Sequence, residues 1–157
     1  MTAFAYQAVV VAPGFSLGVC CDADEITAID FLAPRADMAP ATPLAKEAVR
    51  QLRAYLKDPA FAFSLPLRPA GTAFQRRVWQ AIAAVPAGQT KTYGELAADV
   101  HSGPRAVGNA CGANRYPVVI PCHRVVASGG GLGGFARNSG DFLLQIKRWL
   151  LAHEGRT

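Results

Sequence analysis

The sequence predicts a mixed α+β protein, in which an N-terminal antiparallel sheet with one helix precedes a mostly helical module. Short apolar runs rich in valine and aromatic residues fill the first 32 residues, and apolar residues at helical spacing follow from residue 43 onward. Two Thr-x-x-Gln/Glu capping boxes in the second half mark the starts of further helices. A chain of 157 residues is long enough for one core or for two small modules.

The first half contains three predicted strands and one helix. The strands are Ala5 to Ala12, Phe15 to Cys21 and Ile26 to Leu32, and a Pro-Gly turn makes the first two a hairpin. The helix begins after Thr42 as N-cap, with Pro43 at its first position, and ends before Asp58. We expect residues 1–66 to form a scaffold domain without catalytic residues, followed by an extended proline-containing linker.

The second half, residues 72–157, is predicted to be a winged-helix-like module containing a helix-turn-helix. Thr72 and Thr92 each begin a capping box, so helices should start at both. A second short helix from Pro104 to about Ala113 follows the turn at residues 101–103. Two short helices around such a turn also occur in plain helical proteins, so the pattern alone leaves DNA binding and a structural role equally open.

The helix after Pro104 is unusually rich in glycine. Gly108 and Gly112 each cost about 1 kcal/mol relative to alanine in a helix interior. Small side chains let a backbone approach a narrow surface, which favours a helix that settles into the minor groove of DNA. A tight helix-helix contact is the alternative. Arg105 at the helix start favours the groove, because a long cation has little place in a dry contact.

Charge is distributed unevenly along the chain. Residues 1–69 carry a net charge of −1 and residues 70–157 a net charge of +6. A basic module beside a nearly neutral one suggests that the basic module binds a polyanion, most simply nucleic acid. A solvated basic face without a partner explains the charge equally well.

Composition excludes several classes of protein. About half of the residues are hydrophobic, which excludes intrinsic disorder, and no apolar run reaches the roughly 18 residues of a membrane helix. The first residues lack the pattern of a signal peptide, so we expect a cytoplasmic protein with no membrane partner. The four cysteines show no metal-ligand spacing, and neither a metal nor a cofactor is expected.

Cys122 is the strongest candidate for a catalytic residue. An apolar run from Val118 to Ile120 predicts a strand that stops at Pro121 and presents Cys122 and His123 at its tip. A neighbouring imidazole can raise the thiolate fraction of a cysteine, and the thiolate is the nucleophile. The alternative is a small buried hydrophobic residue, which is the commoner state of a free cysteine.

The second half resembles the O6-alkylguanine-DNA alkyltransferases, also called methylated-DNA-protein-cysteine methyltransferases. The resemblance covers residues 72–155, whereas residues 1–69 match only in size and in their strand-then-helix order. The shared motifs are Ile120-Pro121-Cys122-His123-Arg124-Val125, Thr92-Tyr93, Arg105 to Gly108, Asn114 and Trp149 to Gly155.

The resemblance implies roles for four catalytic residues. Cys122 would attack the alkyl carbon of a guanine flipped out of the duplex. His123 would act through a water molecule as its base, and Glu154 would orient the imidazole. Asn114 would tie the second helix of the helix-turn-helix to the active-site strand through its amide.

The resemblance also implies contacts with DNA. Arg105 would enter the duplex where the base departed, and Tyr93 would rotate a neighbouring phosphate and meet the flipped base. Each residue taken alone fits an ordinary surface as well. Phe135 stands where the family commonly has a tyrosine, so the ring is kept and its hydroxyl is missing. The further predicted contacts are Gly108, Pro117, Val125, Ser128 and Phe135.

The expected function is direct repair of O6-alkylguanine by irreversible, single-turnover transfer of the alkyl group to Cys122, with O4-alkylthymine as a further candidate lesion. The expected partner is double-stranded DNA carrying the lesion, bound by a monomer. Three other functions are compatible with parts of the pattern: a lesion sensor that binds without reaction, a helix-turn-helix transcription regulator, and a cysteine hydrolase. Cys122 argues against the sensor, no dimerisation segment supports the regulator, and the hydrolase needs an oxyanion hole that a sequence does not reveal.

Overall fold

A computed structural model describes residues 6–133 and 140–155 of the chain. It confirms the mixed α+β class. Contacts between residues group the chain into two compact units, Met1–Pro69 and Ala70–Thr157. None of the helices in the described ranges is both long and apolar enough to cross a membrane.

The first unit is a three-stranded antiparallel sheet covered by one helix. The strands are β1 (Ala8–Ala12), β2 (Phe15–Cys21) and β3 (Ile26–Leu32), paired in the order β1-β2-β3. Helix α1 (Pro43–Lys57) packs on β1 and β2. Thr42 caps it as predicted, with its hydroxyl accepting the Ala45 N–H at 3.3 Å. The three strands and the helix confirm the sequence prediction for this half.

The second unit is mostly helical. Its elements are α2 (Ala73–Ala83), β4 (Lys91–Thr92), α3 (Tyr93–Asp99), α4 (Pro104–Gly112), β5 (Val125–Val126) and α5 (Asp141–His153), with 3-10 turns at Cys122–Arg124 and Ser128–Gly130. Both capping boxes form, at Thr72 and at Thr92. The parallel pairing of β4 with β5 was not predicted, because a two-residue strand leaves almost no periodic signal.

Helices α3 and α4 form the predicted helix-turn-helix, and both pack on α2. Two side chains of α2 anchor the pair to it. The indole of Trp79 donates a buried hydrogen bond of 2.8 Å to the carbonyl of Ala110 in α4. The guanidinium of Arg77 donates at 3.0 Å to the carbonyl of Val100, in the turn between the two helices.

The strand predicted before Cys122 is wrong. Val118 has a φ of +76°, in the left-handed region that a β-branched residue avoids, and residues 118–119 form a turn. The Ile120 N–H donates at 2.8 Å to the carbonyl of Tyr116, which closes this turn. Local hydrogen bonds therefore replace a strand ladder here, and Cys122 begins a 3-10 turn instead of standing at a strand tip.

Candidate active site

Cys122 lies almost completely buried at the start of the 3-10 turn, with 4% of its surface exposed. Its N–H donates at 2.8 Å to the carbonyl of Ile120, two residues earlier. Pro121 between them has φ −83° and ψ 65°, so the chain reverses sharply immediately before the thiol. The local backbone therefore fixes the position of the sulfur.

Asn114 holds the Cys122 turn from just beyond the end of α4. Its amide nitrogen donates to the carbonyl of Ile120 at 2.9 Å and to the Sγ of Cys122 at 3.2 Å. Its amide oxygen accepts the Tyr116 N–H at 2.8 Å. The side chain thus uses its donor and its acceptor sides at once and connects the helix-turn-helix to the thiol. The structure places this tie on a turn, where the sequence had predicted a strand.

Glu154, at the C-terminal end of α5, joins two neighbours of the thiol. Its carboxylate accepts from the Nε2 of His123 at 2.8 Å. Arg124 donates to the same carboxylate through Nε at 2.8 Å and Nη2 at 2.9 Å, and its Nη1 donates to the carbonyl of Val85 at 2.7 Å. Gly88 in the α2–β4 loop has a φ of +84°, which favours glycine, and a Cβ there would lie only 3.1 Å from the carbonyl of Glu154.

His123 is completely buried and is neutral near pH 7. Burial lowers its pKa, and the hydrogen bond that it donates to Glu154 only partly opposes that effect. Because Nε2 faces the carboxylate, this nitrogen carries the proton and Nδ1 carries the lone pair. Nδ1 is buried and has no hydrogen-bond partner within the described residues. The imidazole is therefore set in the tautomer that can accept a proton at Nδ1.

Cys111, on the buried face of α4, was missed as a site residue by the sequence analysis. Interaction with the thiol of Cys122 lowers the pKa of Cys111, whereas the same interaction, together with burial, raises the pKa of Cys122 well above its usual value. Each thiol therefore influences the titration of the other. Their separation of eleven positions in the sequence contains no signal for this interaction.

Lys147, in α5, was also missed. It is completely buried, and its ammonium donates to the carbonyls of Val125 at 2.7 Å and of Leu132. It also lies 5.8 Å from the ring centre of Tyr93. Its positive charge lowers the pKa of both Cys111 and Cys122, behind the larger effects of their own interaction and of burial. The signal was available, because Lys147 occupies an apolar-stripe position with Leu143, Leu150 and Leu151.

The residues of the helix-turn-helix that are predicted to contact DNA differ in their exposure. Arg105 is exposed in the first turn of α4, and a Cβ added at Gly108 would meet no atom within 4 Å. The open space at Gly108 excludes the alternative of a tight helix-helix contact there. Tyr93 begins α3 and is half-buried, and burial raises the pKa of its hydroxyl, which therefore stays protonated.

The other predicted contacts lie around the Cys122 turn or beyond the described residues. Pro117 and Val125 are buried, and the carbonyl of Val125 already accepts from Lys147. Ser128 is exposed at the start of the second 3-10 turn. Phe135 lies outside the described residues. The structure thus brings together Cys122, His123, Glu154 and Asn114 and adds Cys111, Arg124 and Lys147 to them.

Comparison with known proteins assigns this site to a family. The model of the 6-O-methylguanine DNA methyltransferase DNA-binding domain matches residues 73–156, more than half of the chain. The chain belongs to the 6-O-methylguanine DNA methyltransferase family. All of the site residues named above lie within the matched range.

Relatives within the 6-O-methylguanine DNA methyltransferase family extend the likeness. A methylated-DNA–protein-cysteine methyltransferase of Methanosarcina acetivorans is 44% identical over 112 residues, which cover 70% of this chain and 69% of that protein. The regulatory protein Ada of Salmonella typhimurium is 43% identical over 126 residues, or 75% of this chain, which spans only 36% of that longer protein. A crystal structure of Mycobacterium tuberculosis OGT in complex with DNA has a TM-score of 0.78 and 33% identity, covering 93% of this chain and 90% of that one.

Proposed function

We propose that this protein repairs O6-alkylguanine in double-stranded DNA by transferring the alkyl group to Cys122 and leaving guanine behind. The observation that carries the proposal is the arrangement around the thiol. Cys122 receives a hydrogen bond from Asn114 at 3.2 Å, and the next residue, His123, is fixed by Glu154 at 2.8 Å as a neutral proton acceptor. This is a cysteine nucleophile with an oriented base.

The proposed chemistry has three steps. The thiol first loses a proton toward Nδ1 of His123, through a water molecule as the family resemblance implies. The thiolate then attacks the alkyl carbon, and the carbon–oxygen bond breaks with its electron pair going to guanine. The guanine regains the proton held by His123. Arg124 holds the Glu154 carboxylate in place by two hydrogen bonds.

We propose that each molecule reacts once. The product at Cys122 is a thioether, which has no easy leaving group, and no device for removing it is evident in the described residues around the sulfur. O4-alkylthymine is a second candidate lesion, because its alkyl carbon is also bonded to an exocyclic oxygen.

DNA recognition is proposed for the helix-turn-helix. The open outer face of α4 at Gly108 suits close approach to the minor groove, and Arg105 at its exposed start is placed to fill the gap left by a flipped base. Tyr93 is proposed to contact the neighbouring phosphate and the flipped base. Four further residues are proposed to line the site that receives the flipped base: Pro117, Val125, Ser128 and Phe135. The DNA complex of the Mycobacterium tuberculosis relative supports a DNA partner for this fold.

We also propose that the protein works as a monomer in the cytoplasm. A single-use thiol must stay reduced until it meets its lesion, and the cytoplasm is kept reducing. The four cysteines, one of them the proposed nucleophile, are all free in the structure.

Mass spectrometry after incubation with a duplex containing O6-methylguanine tests the proposal. Trypsin separates the two active-site cysteines, because Arg115 lies between Cys111 and Cys122. We expect one methyl group per protein molecule, about 14 Da, on the peptide of residues 116–124, and unmodified guanine in the DNA. Cys122→Ala should bind the lesion without reaction, and Cys20→Ala, in the other unit, should react normally.

Other outcomes would contradict the proposal. Several turnovers per molecule would favour a hydrolase. A methyl group found on Cys111 or Cys20 would show that this cysteine, and not Cys122, is the nucleophile. Lesion binding by the wild-type protein without any methyl transfer would identify a sensor.

A further inference from the structure

Helix α1 carries an excess of positive charge that the net charge of its unit conceals. The helix contains four cations and one carboxylate, whereas the rest of residues 1–69 contains two cations and six carboxylates. The four cations are all exposed and repeat at the spacing of one helical face: Lys46, Arg50, Arg53 and Lys57. They form a basic stripe on the outer side of α1, about 16 Å long at 1.5 Å per residue.

A groove of about 480 Å³ lies along the basic stripe. The four cations line it together with three apolar residues, Pro40, Val49 and Ala54. Met38, two residues before Pro40 in the segment that borders the groove, is 42% exposed. An exposed large apolar side chain is one mark of an interaction surface. The groove therefore combines apolar contact area with positive charge.

Two carboxylates are held among the cations. Glu47 accepts hydrogen bonds from Arg50 at 2.6 and 2.8 Å and from the buried Gln51 at 2.7 Å, and these bonds lower its pKa to about 2. Asp37 lies 3.5 Å from Arg53. A nucleic-acid backbone carries a negative charge at every step and would meet both carboxylates. A peptide can bring acidic side chains to the cations and apolar ones to the groove, so the surface favours a peptide.

The cations of the basic stripe are available to a partner. Lys46 and Lys57, at its two ends, form no ion pair within residues 6–133 and 140–155. The side chains of Arg50 and Arg53 are 62% and 55% exposed, and their carboxylate partners are exposed as well. Exposed ion pairs contribute little, so a carboxylate from another molecule replaces such a pairing at small cost.

We propose that the basic stripe and its groove form a docking surface for an acidic peptide segment of a partner protein. Acidic side chains of the peptide bind the cations, and apolar side chains between them enter the groove at Val49 and Ala54. A length of about 16 Å corresponds to roughly five residues of extended chain. The surface lies within residues 1–69, so the inference does not depend on alkyl transfer and gives this unit a role of its own.

The test uses a synthetic peptide of about seven residues in which glutamate and leucine alternate. Fluorescence anisotropy with the complete chain should show saturable binding, and the amide NMR signals of α1 and of residues 37–40 should shift. Lys57→Gln should weaken binding about threefold, and the double variant Lys46→Gln, Lys57→Gln about tenfold. Ala54→Gln narrows the groove without changing the charge and should also weaken binding about threefold.

The matched control is Arg68→Gln. It removes one cation from the same unit but outside α1, where Arg68 pairs with Asp22 and Glu25, so peptide affinity should stay at the wild-type value. A second control is the same peptide with glutamine in place of glutamate, which should not bind. Methyl transfer should be equal in all of these variants, because none of the substituted residues belongs to the proposed active site.

Three results would overturn the inference. Peptide binding that does not saturate, or that is unchanged in the double variant, would identify the basic stripe as a solvated face without a partner. A short oligothymidylate that shifts the α1 amides at lower concentration than the peptide would identify a nucleic-acid surface. Peptide binding as expected in a chain that transfers no methyl group would support the docking surface and refute the proposed function.

Discussion

At the scale of single residues, Glu154 has the most demanding position in the active site. Its side chain is 1% exposed, and it accepts hydrogen bonds from both His123 and Arg124. A buried carboxylate is stable only when its charge is matched, and here the guanidinium matches it. The same atoms therefore determine both the orientation of the base and the stability of the fold around it.

Glu154→Gln should both slow methyl transfer and destabilise the protein. The amide removes the charge that holds Arg124, so the free energy of unfolding should fall by about 3 kcal/mol, as for other buried pairs that lose one partner. Transfer should slow by roughly a hundredfold, because His123 is no longer held as an oriented base. Urea unfolding and single-turnover kinetics measure the two effects separately.

The matched control for this substitution is Asp99→Asn. Asp99 pairs with Lys91 at the surface, and both side chains are more than 40% exposed. An exposed pair contributes little, so this variant should resemble the wild type in both assays. A destabilised Glu154→Gln protein that transfers methyl groups at the wild-type rate would show that the carboxylate is only structural.

His123 should make the stability of the protein depend on pH. Burial lowers the pKa of the folded imidazole below the value of about 6.5 expected for the unfolded chain. Between those two values the unfolded state binds more protons, so the free energy of unfolding should decrease as the pH falls below about 6.5. Urea unfolding from about pH 7 to about pH 5 should reveal the slope, which His123→Gln should lack. Parallel curves for the two proteins would contradict this assignment.

At the scale of elements, the face of α4 at Gly108 is the one proposed to approach DNA. Glycine in a helix interior is unfavourable, and a Cβ added at Gly108 would meet no atom of the described residues within 4 Å. The proposed close approach to DNA would account for a small residue at this position. This explanation separates folding from binding, so the two can be tested independently.

Gly108→Ala should stabilise the free protein and weaken its binding to DNA. The methyl group has open space, so the gain in helix propensity should raise the free energy of unfolding by up to about 1 kcal/mol. The same methyl group would stand between the helix and the groove floor. Thermal unfolding and binding titrations measure the two effects. Unchanged DNA affinity would show that this part of α4 does not contact DNA.

The helices and strands differ in how well the sequence predicts them. Helices with a capping residue, such as those beginning after Thr42, Thr72 and Thr92, were predicted correctly, because their start signals are local. The strand before Cys122 was predicted wrongly. Apolar composition favoured it, whereas the turn that replaces it depends on the Ile120–Tyr116 hydrogen bond and on the side chain of Asn114. Such a turn has no period that a sequence pattern reveals.

For the molecule as a whole, the two units differ in charge, with −1 on residues 1–69 and +6 on residues 70–157. If the basic unit binds the phosphates of DNA, affinity should fall steeply as salt rises and should show little preference for unmodified sequence. Arg105→Gln should reduce the slope of log affinity against log salt concentration by about one, the equivalent of one released counterion. Lys57→Gln, in the other unit, should leave this slope unchanged. Titrations at several salt concentrations and on several unmodified sequences test this. A flat salt response would contradict phosphate binding by this unit, and strong preference for one unmodified sequence would favour a transcription regulator.

The candidate site was predictable only in part at this scale. The motif around Cys122 and its partner Glu154 could be inferred from family resemblance, and the structure brings their neighbourhoods together. The Cys111–Cys122 interaction and the burial of Lys147 depend on how α4 and α5 pack around the turn. Lysine on a helix is usually solvated, so residue type alone predicts an exposed Lys147. Its position in an apolar stripe was the single sequence signal for its burial.

Small alkylating agents dissolved in a cell would meet almost no surface of Cys122, because only 4% of the residue is exposed. A sheltered thiol reacts slowly with such reagents even where they are abundant. Under the proposed function each molecule reacts once, and burial would keep the thiol from being consumed by such unrelated electrophiles. If the alkyl group arrives on a nucleobase that binds at this site, as proposed, burial of the nucleophile is itself a source of chemical selectivity.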